Sequence, residues 1–359
     1  MASPVDYYYD EWNHLNDSSY EHEIVDSNNH IVTVQVAVYC ILFLIGVPGN
    51  TLVLVVFARR GDSPFNMSSN ALIVNLAAAD MGILLFYVPF YVAYEALDLV
   101  WPFGLAMCKF VFSLTHICVY SSLGTMIGVA MERYQVTFHL HVSKSLVRVG
   151  LLFVWICALV LSIPQMMNLQ LVSLDDEIYP DTEYTCELMW PDPIYERILH
   201  PVDFILFYLL PMALISGLYI HINSMLRSAI RRNVLNHRLA KQAQKVMYVL
   251  IVVVFVFGIC NFPVHFMQIY RVFCYDEWLN IFDKSPWLFS VCAALYLIPH
   301  IANPIIYAVL NKKFRLAAIK VLRTCKPACL YTIVQWNPFT RPCQGTNEEE
   351  SVDRGQELI

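Results

Sequence analysis

Seven stretches of the chain, roughly residues 32–58, 70–97, 106–136, 147–168, 198–226, 245–273 and 287–310, are apolar almost without interruption. A helix crossing the hydrocarbon core of a bilayer needs about 20 such residues, so each stretch predicts one spanning helix. Pro48, Pro89, Pro164, Pro211, Pro263 and Pro304 fall inside them, which neighbouring helices and polar side chains accommodate within a bundle. Behind the seventh stretch, residues 312–324 (KKFRLAAIKVLRT) set basic and apolar residues at helical spacing. That pattern predicts an amphipathic helix lying on the inner leaflet. The expected fold class is an all-α membrane protein: a seven-transmembrane helix bundle over 31–311 and a short eighth helix over 312–324. Residues 1–30 and 325–359 are expected to be tails.

Basic residues orient the spans. Arg59 and Arg60 follow the first, Lys144 and Arg148 the third, and Arg227, Arg231, Arg232, Arg238, Lys241 and Lys245 the fifth. Lys312, Lys313, Arg315, Lys320, Arg323 and Lys326 follow the seventh, whereas the opposite side holds Lys109, Arg197, Arg271 and Lys284. The basic side is expected to be cytoplasmic, with the N-terminus outside, the C-terminus inside and the plasma membrane as location. The outer side is acidic, from Asp6 to Asp26 in the first tail and from Asp175 to Glu196 in the loop after the fourth span. Either this field concentrates cationic ligands, or it only keeps the outer segments soluble. Composition agrees with lipid as solvent: 58% of the 359 residues are hydrophobic and 14% are charged, against about 25% charged in soluble domains. The opening MASPVDYYYDEWNHLND is no secretory leader, so the first span is expected to direct export.

Polar residues inside lipid are expensive and point to function. Gly49-Asn50 lies in the first span, Asn75 to Asp80 in the second, and Glu132-Arg133-Tyr134 at the inner end of the third. Trp155, Pro211 with Tyr219, Phe257 to Pro263 and Asn303-Pro304-Ile-Ile-Tyr307 occupy spans four to seven. Each motif alone is weak, but their order, one per helix, resembles a rhodopsin-like (class A) G-protein-coupled receptor over about residues 30–325. The segment from Trp101 to Phe110 is similar to peptide receptors of the galanin, allatostatin or kisspeptin type.

An ion pair of Glu132 with Arg133 would hold the arginine, since a desolvated pair breaks only at a cost. The resemblance implies that activation swings Arg133 toward a G-protein cavity, with Tyr219 and Tyr307 moving in beside it. Tyr134, Phe257, Asn261, Pro263, Asn303 and Pro304 complete the implied switch. Asp80, Ser122 and Asn303 match the positions that surround a sodium ion in this family, the one cofactor implied. Pro299-His300 departs from the small polar residues usual there, so either an ion binds or His300 replaces it in a protonation-sensitive pair with Asp80. The usual Cys-Trp-x-Pro reads Cys260-Asn261-Phe262-Pro263. Asn261 either hydrogen-bonds inward, to Asn303 or His300, or marks a variant that switches through Phe257 and Pro263.

Cys108 and Cys186 stand on the oxidising side, and the resemblance pairs them, pinning the second outer loop. Asn16 opens an outer glycosylation sequon, and Cys325 and Cys329 follow the eighth helix where palmitoylation anchors a chain. Tyr7, Tyr8 and Tyr9 with their acidic flanks resemble sulfation sites, or are simply an acidic tail. The implied ligand pocket gathers Glu95, Thr115, His116, Val119 and Asp203. Spans six and seven contribute His265, Gln268, Arg271, Ala293 and Tyr296. Thr115 stands where amine receptors carry an aspartate, and span seven has no lysine for a retinal. Asp203 needs a partner, either His116, His265 or a cation on the ligand. The expected function is a receptor for an extracellular peptide with a basic group, acting on heterotrimeric G proteins, with arrestin and membrane lipid as further partners and no nucleic acid. An atypical receptor that binds without coupling is the alternative; a transporter is disfavoured by the lack of two matching halves, and no enzyme is expected, since no catalytic serine–histidine or two-aspartate layout stands out.

Overall fold

The computed structural model describes residues 18–58, 67–97, 99–137, 143–174, 183–232, 237–310 and 312–324. Among them, seven apolar helical spans are long enough to cross a membrane: Ile31–Phe57, Asn70–Ala96, Gly104–Val136, Ser145–Asn168, Pro193–Ser228, Leu250–Phe273 and Trp287–Leu310. The elements in order begin with α1 (Ser18–Ala58), α2 (Met67–Phe86), α3 (Val88–Ala96), α4 (Gly104–Thr137) and α5 (Lys144–Asn168). Strands β1 (Leu169–Ser173) and β2 (Tyr184–Leu188) follow, then α6 (Pro193–Phe204), a π-helical turn (Ile205–Leu209) and α7 (Leu210–Arg231). The chain continues through α8 (His237–Phe273), α9 (Tyr275–Lys284), α10 (Pro286–Leu310) and α11 (Lys312–Thr324). It divides into two compact units, Met1–Ala318 and Ile319–Ile359. Residues 319–324 of the second are described, as the end of α11.

α4 packs against α2, α5 and α7, while α10 packs against α1 and α8. Lipid removes the hydrophobic drive for helix association, so close van der Waals fit has to supply it. Gly46 of α1 shows the fit: a Cβ there would collide with Ile301 of α10 and Leu84 of α2. The core beside it comprises Tyr39, Ile83, Leu84, Val88, Cys118, Leu297 and Ile301. Apolar residues outside this seam, such as Leu152 and Phe153 on α5, are two-thirds exposed and face the solvent that suits them, lipid.

Several local features exceed what hydropathy predicts. The fifth span begins at Pro193, because Asp192 caps it: Asp192 Oδ1 accepts the Ile194 N–H at 2.8 Å, and Pro193 needs no N–H partner in the first turn. Glu196 and Arg197 interrupt the apolar run and hide this start from a hydropathy reading. The π turn follows from Pro211, whose ring cannot fit a regular turn; the Leu210 N–H reaches back to the Ile205 carbonyl. β1 and β2 pair antiparallel, Leu171 opposite Cys186, and make the one sheet among the described residues. Cys108 and Cys186 are disulfide-bonded, so the hairpin is fastened to the start of α4 over Trp101, Val111 and Leu169. α11 buries Phe314 and Ala318, and Arg315 Nη1 donates to the Ala308 and Val309 carbonyls at 3.2 and 3.0 Å, closing the end of α10. Asn16, Cys325, Cys329 and Tyr7 to Tyr9 lie outside the described residues.

Candidate functional site

Polar and charged residues collect at three depths of the bundle. At the end where α4 finishes, Arg133 Nε lies 2.8 Å from Glu132 Oε2, with the glutamate side chain 6% exposed. Tyr134 packs against the His221 ring of α7, centroids 5.8 Å apart. Tyr219 and Tyr307 are buried and face a small void that they share with Leu76, Met126, Val129, Leu250, Val253 and Val254. The void lies between α2, α4, α7, α8 and α10, so a tyrosine from α7 and one from α10 border the same space.

Midway through the bundle, Asp80 is fully buried. Its Oδ1 accepts from Ser122 Oγ at 3.1 Å and lies 2.9 Å from His300 Nδ1, while its Oδ2 accepts from Asn303 Nδ2 at 2.9 Å. Asn50 Nδ2 donates to the His300 carbonyl at 2.9 Å, which ties α1 to the same node. A buried carboxylate persists only when hydrogen bonds or charges satisfy it, and here α4 and α10 supply three donors. Asn261 does not join them: its Nδ2 donates to the Phe257 carbonyl one turn back, at 2.9 Å. Phe257, with Ser122, His300 and Asn303, lines a void about the size of one water molecule. Pro263 lies inside α8, two residues after Asn261.

At the hairpin end, the candidate pocket residues divide into two groups. Glu95, Ala293 and Tyr296 belong to the side formed by α1, α3 and α10, where Gln35 Nε2 donates to Glu95 Oε2 at 3.3 Å. Asp203, His265 and Arg271 belong to the side formed by α6 and α8. Arg271 Nη2 lies 3.4 Å from Glu196 Oε2, and the His265 ring rests against Phe204 and Tyr208, centroids 5.9 and 5.3 Å away. His116 Nδ1 is 2.8 Å from the Phe112 carbonyl of its own helix. Neither histidine pairs with Asp203, which stands half-buried with no counter-cation among the described residues. Thr115 is buried and donates to the Val111 carbonyl at 2.8 Å, so its hydroxyl is spent within α4. Val119 packs into the core, and Gln268 is exposed. On β2, desolvation pushes the Glu187 carboxyl up, with Arg271 pulling it back down.

Residues 49–307 match the family described as 7 transmembrane receptor (rhodopsin family). The chain belongs to this family. Human (Homo sapiens) galanin receptor type 1 is 28% identical over 300 residues, covering 81% of this chain and 82% of that protein. Mouse (Mus musculus) neuropeptide Y receptor type 6 is 26% identical over 301 residues, 80% of each chain. Rat (Rattus norvegicus) somatostatin receptor type 4 is 28% identical over 314 residues, 84% of this chain and 74% of its own.

In this receptor the residues around Asp80 do not fit a sodium ion. Both carboxylate oxygens are already engaged by three donors, and the His300 ring occupies the approach to Oδ1. Other contributors escape a motif reading. Tyr120, four residues after His116 and therefore on its face of α4, stacks on Phe207 at 4.3 Å and lies within electrostatic reach of Asp203. Asn75 links Thr125 and the Trp155 indole, both at 2.8 Å, and so joins α2, α4 and α5. His200, one turn before Asp203 on α6, has a buried Nε2 without a hydrogen bond. Its helical spacing to Asp203 was the only mark of it in the sequence.

Proposed function

We propose that this receptor sits in the plasma membrane with its hairpin end outside, binds an extracellular peptide carrying a basic group, and activates heterotrimeric G proteins from the Arg133 end. In this reading residues 1–30 form an outer acidic tail, 31–311 the bundle, 312–324 a helix on the inner leaflet and 325–359 a cytoplasmic tail. The basic loops and α11 support the orientation. The observation that carries the ligand assignment is Asp203. A half-buried carboxylate without a counter-cation is unfavourable, and a basic group on a ligand entering from the hairpin end would relieve it. His116 and His265, the internal alternatives, make no ion pair with Asp203: His116 Nδ1 meets the Phe112 carbonyl, and the His265 ring packs on Phe204 and Tyr208. Three relatives are named for the peptides galanin, neuropeptide Y and somatostatin, which supports a peptide as the ligand class.

At the other end, the Glu132–Arg133 pair holds the arginine at rest. Its release into the space bordered by Tyr219 and Tyr307 is the step that exposes it to a G protein. A screen of peptide libraries on cells expressing the full chain tests the ligand assignment, with Asp203→Asn as control. Hits with a required Lys, Arg or free amine, weakened about tenfold or more by the substitution, are expected. Hits that bind the variant unchanged would refute the counter-ion role.

A further inference from the structure

A second acid at the hairpin end has surroundings unlike those of Asp203. Glu95 stands four residues after Tyr91, on the same face of α3, and takes a hydrogen bond from Gln35 of α1. No basic side chain pairs with it among the described residues. Tyr91 stacks on Tyr87 at 4.9 Å, meets the Tyr39 ring edge-on at 5.5 Å and has Tyr94 at 6.3 Å. The Tyr94 hydroxyl is 2.7 Å from Thr185 Oγ1, so the disulfide-fastened hairpin fixes this wall. Tyr39 of α1 completes the wall. It is 1% exposed, and its hydroxyl lies beside Gln35 and Tyr91 and within electrostatic reach of Glu95.

A carboxylate that has hydrogen bonds from Gln35 and Tyr91 but no basic partner among the described residues, walled by tyrosine rings, has the chemistry to hold an organic cation. The carboxylate balances the charge and tyrosine π-faces attract it. A guanidinium suits such a place better than an ammonium, because its planar fork meets a carboxylate with two hydrogen bonds while its face lies on a ring. We propose that Glu95, Tyr39 and Tyr91 form a subsite for a guanidinium group of the extracellular ligand, separate from Asp203. The proposal rests on the orientation given above, and it makes the preferred peptide one with two basic groups, one engaged on α3 and one on α6.

The test uses the purified full-length receptor in lipid nanodiscs and a defined probe, Nα-acetyl-argininamide, against its neutral isostere Nα-acetyl-citrullinamide. Thermal stability is followed against probe concentration in the Asp203→Asn background, which removes the other acid. Saturable stabilisation by the arginine amide and none by the citrulline amide is expected. Adding Glu95→Gln, which still accepts the Gln35 hydrogen bond, should raise the half-saturating concentration about tenfold or more. Tyr91→Leu in the same background should do likewise with the charge left in place. Equal response with and without Glu95, equal response to both amides, or no response overturns the subsite. A response present in the wild type and absent from Asp203→Asn also overturns it while leaving the Asp203 assignment standing. Conversely, a peptide library without hits would remove the peptide reading and leave the Glu95 response measurable.

Discussion

His300 decides how the middle of the bundle behaves. Its Nδ1 lies 2.9 Å from Asp80 Oδ1 and its carbonyl accepts from Asn50, so one residue of α10 bonds both α2 and α1. A buried acid that loses one of its donors is destabilised by about 1–3 kcal/mol. The expected outcome is that the thermal stability of the wild-type receptor is the same in sodium chloride and in choline chloride at equal ionic strength. His300→Ser is expected to lower the melting temperature in choline and to regain part of it as sodium rises, because the carboxylate then has room for an ion. A sodium-dependent shift in the wild type would contradict the satisfied geometry at Asp80. The histidine was legible in the sequence as a departure from the family pattern, and its proximity to Asp80 was one of two readings left open. Asn261 was less legible: an amide in a helix can donate inward or to its own turn, and only the folded chain shows that Phe257 receives it.

At the scale of elements, the seven spans followed from hydropathy because lipid demands about 20 apolar residues from each. What hydropathy could not see are elements built from short-range chemistry. The hairpin spends backbone pairs between Leu169–Ser173 and Tyr184–Leu188 in a polar segment, and α9 is too short and too charged to register as a span. The π turn needs the knowledge that Pro211 withholds an N–H from the turn before it. The hairpin matters most for function, since it sets Thr185 against Tyr94 and closes over Trp101. The disulfide that fastens it joins residues 78 apart in sequence. Cross-links of this kind contribute about 2–4 kcal/mol, so Cys186→Ser is expected to lower the apparent melting temperature by several degrees. It should also weaken peptide binding, as read by competition on membranes. Unchanged stability and binding would show that the hairpin keeps its place without the bond.

For the molecule as a whole, the residues that define the family lie one per helix and meet only when the bundle closes. Asp80 of α2 finds Ser122 of α4 and Asn303 of α10, and Asn75 finds Thr125 and Trp155. Their spacing along the chain revealed the set, but not which member touches which. The pocket was less legible for the same reason: Thr115, His116 and Val119 are all expected in the ligand pocket, yet Thr115 Oγ1 and His116 Nδ1 meet carbonyls of their own helix, and Val119 packs half-buried against the core. Tyr39 and Tyr120 carry no mark of function in the sequence, because the acids near them, Glu95 and Asp203, stand on other helices. One continuous bundle joins an acidic ligand end to an arginine end, and signalling depends on that link. The most direct test is nucleotide exchange on purified heterotrimeric G proteins by the full-length receptor in nanodiscs, with and without an activating peptide, in the wild type and in Arg133→Ala. Peptide-stimulated exchange is expected, and Arg133→Ala is expected to lower it about tenfold or more, a loss of about 1.4 kcal/mol or greater, while peptide binding persists. Peptide binding by the wild type with no exchange on any heterotrimer would contradict that link.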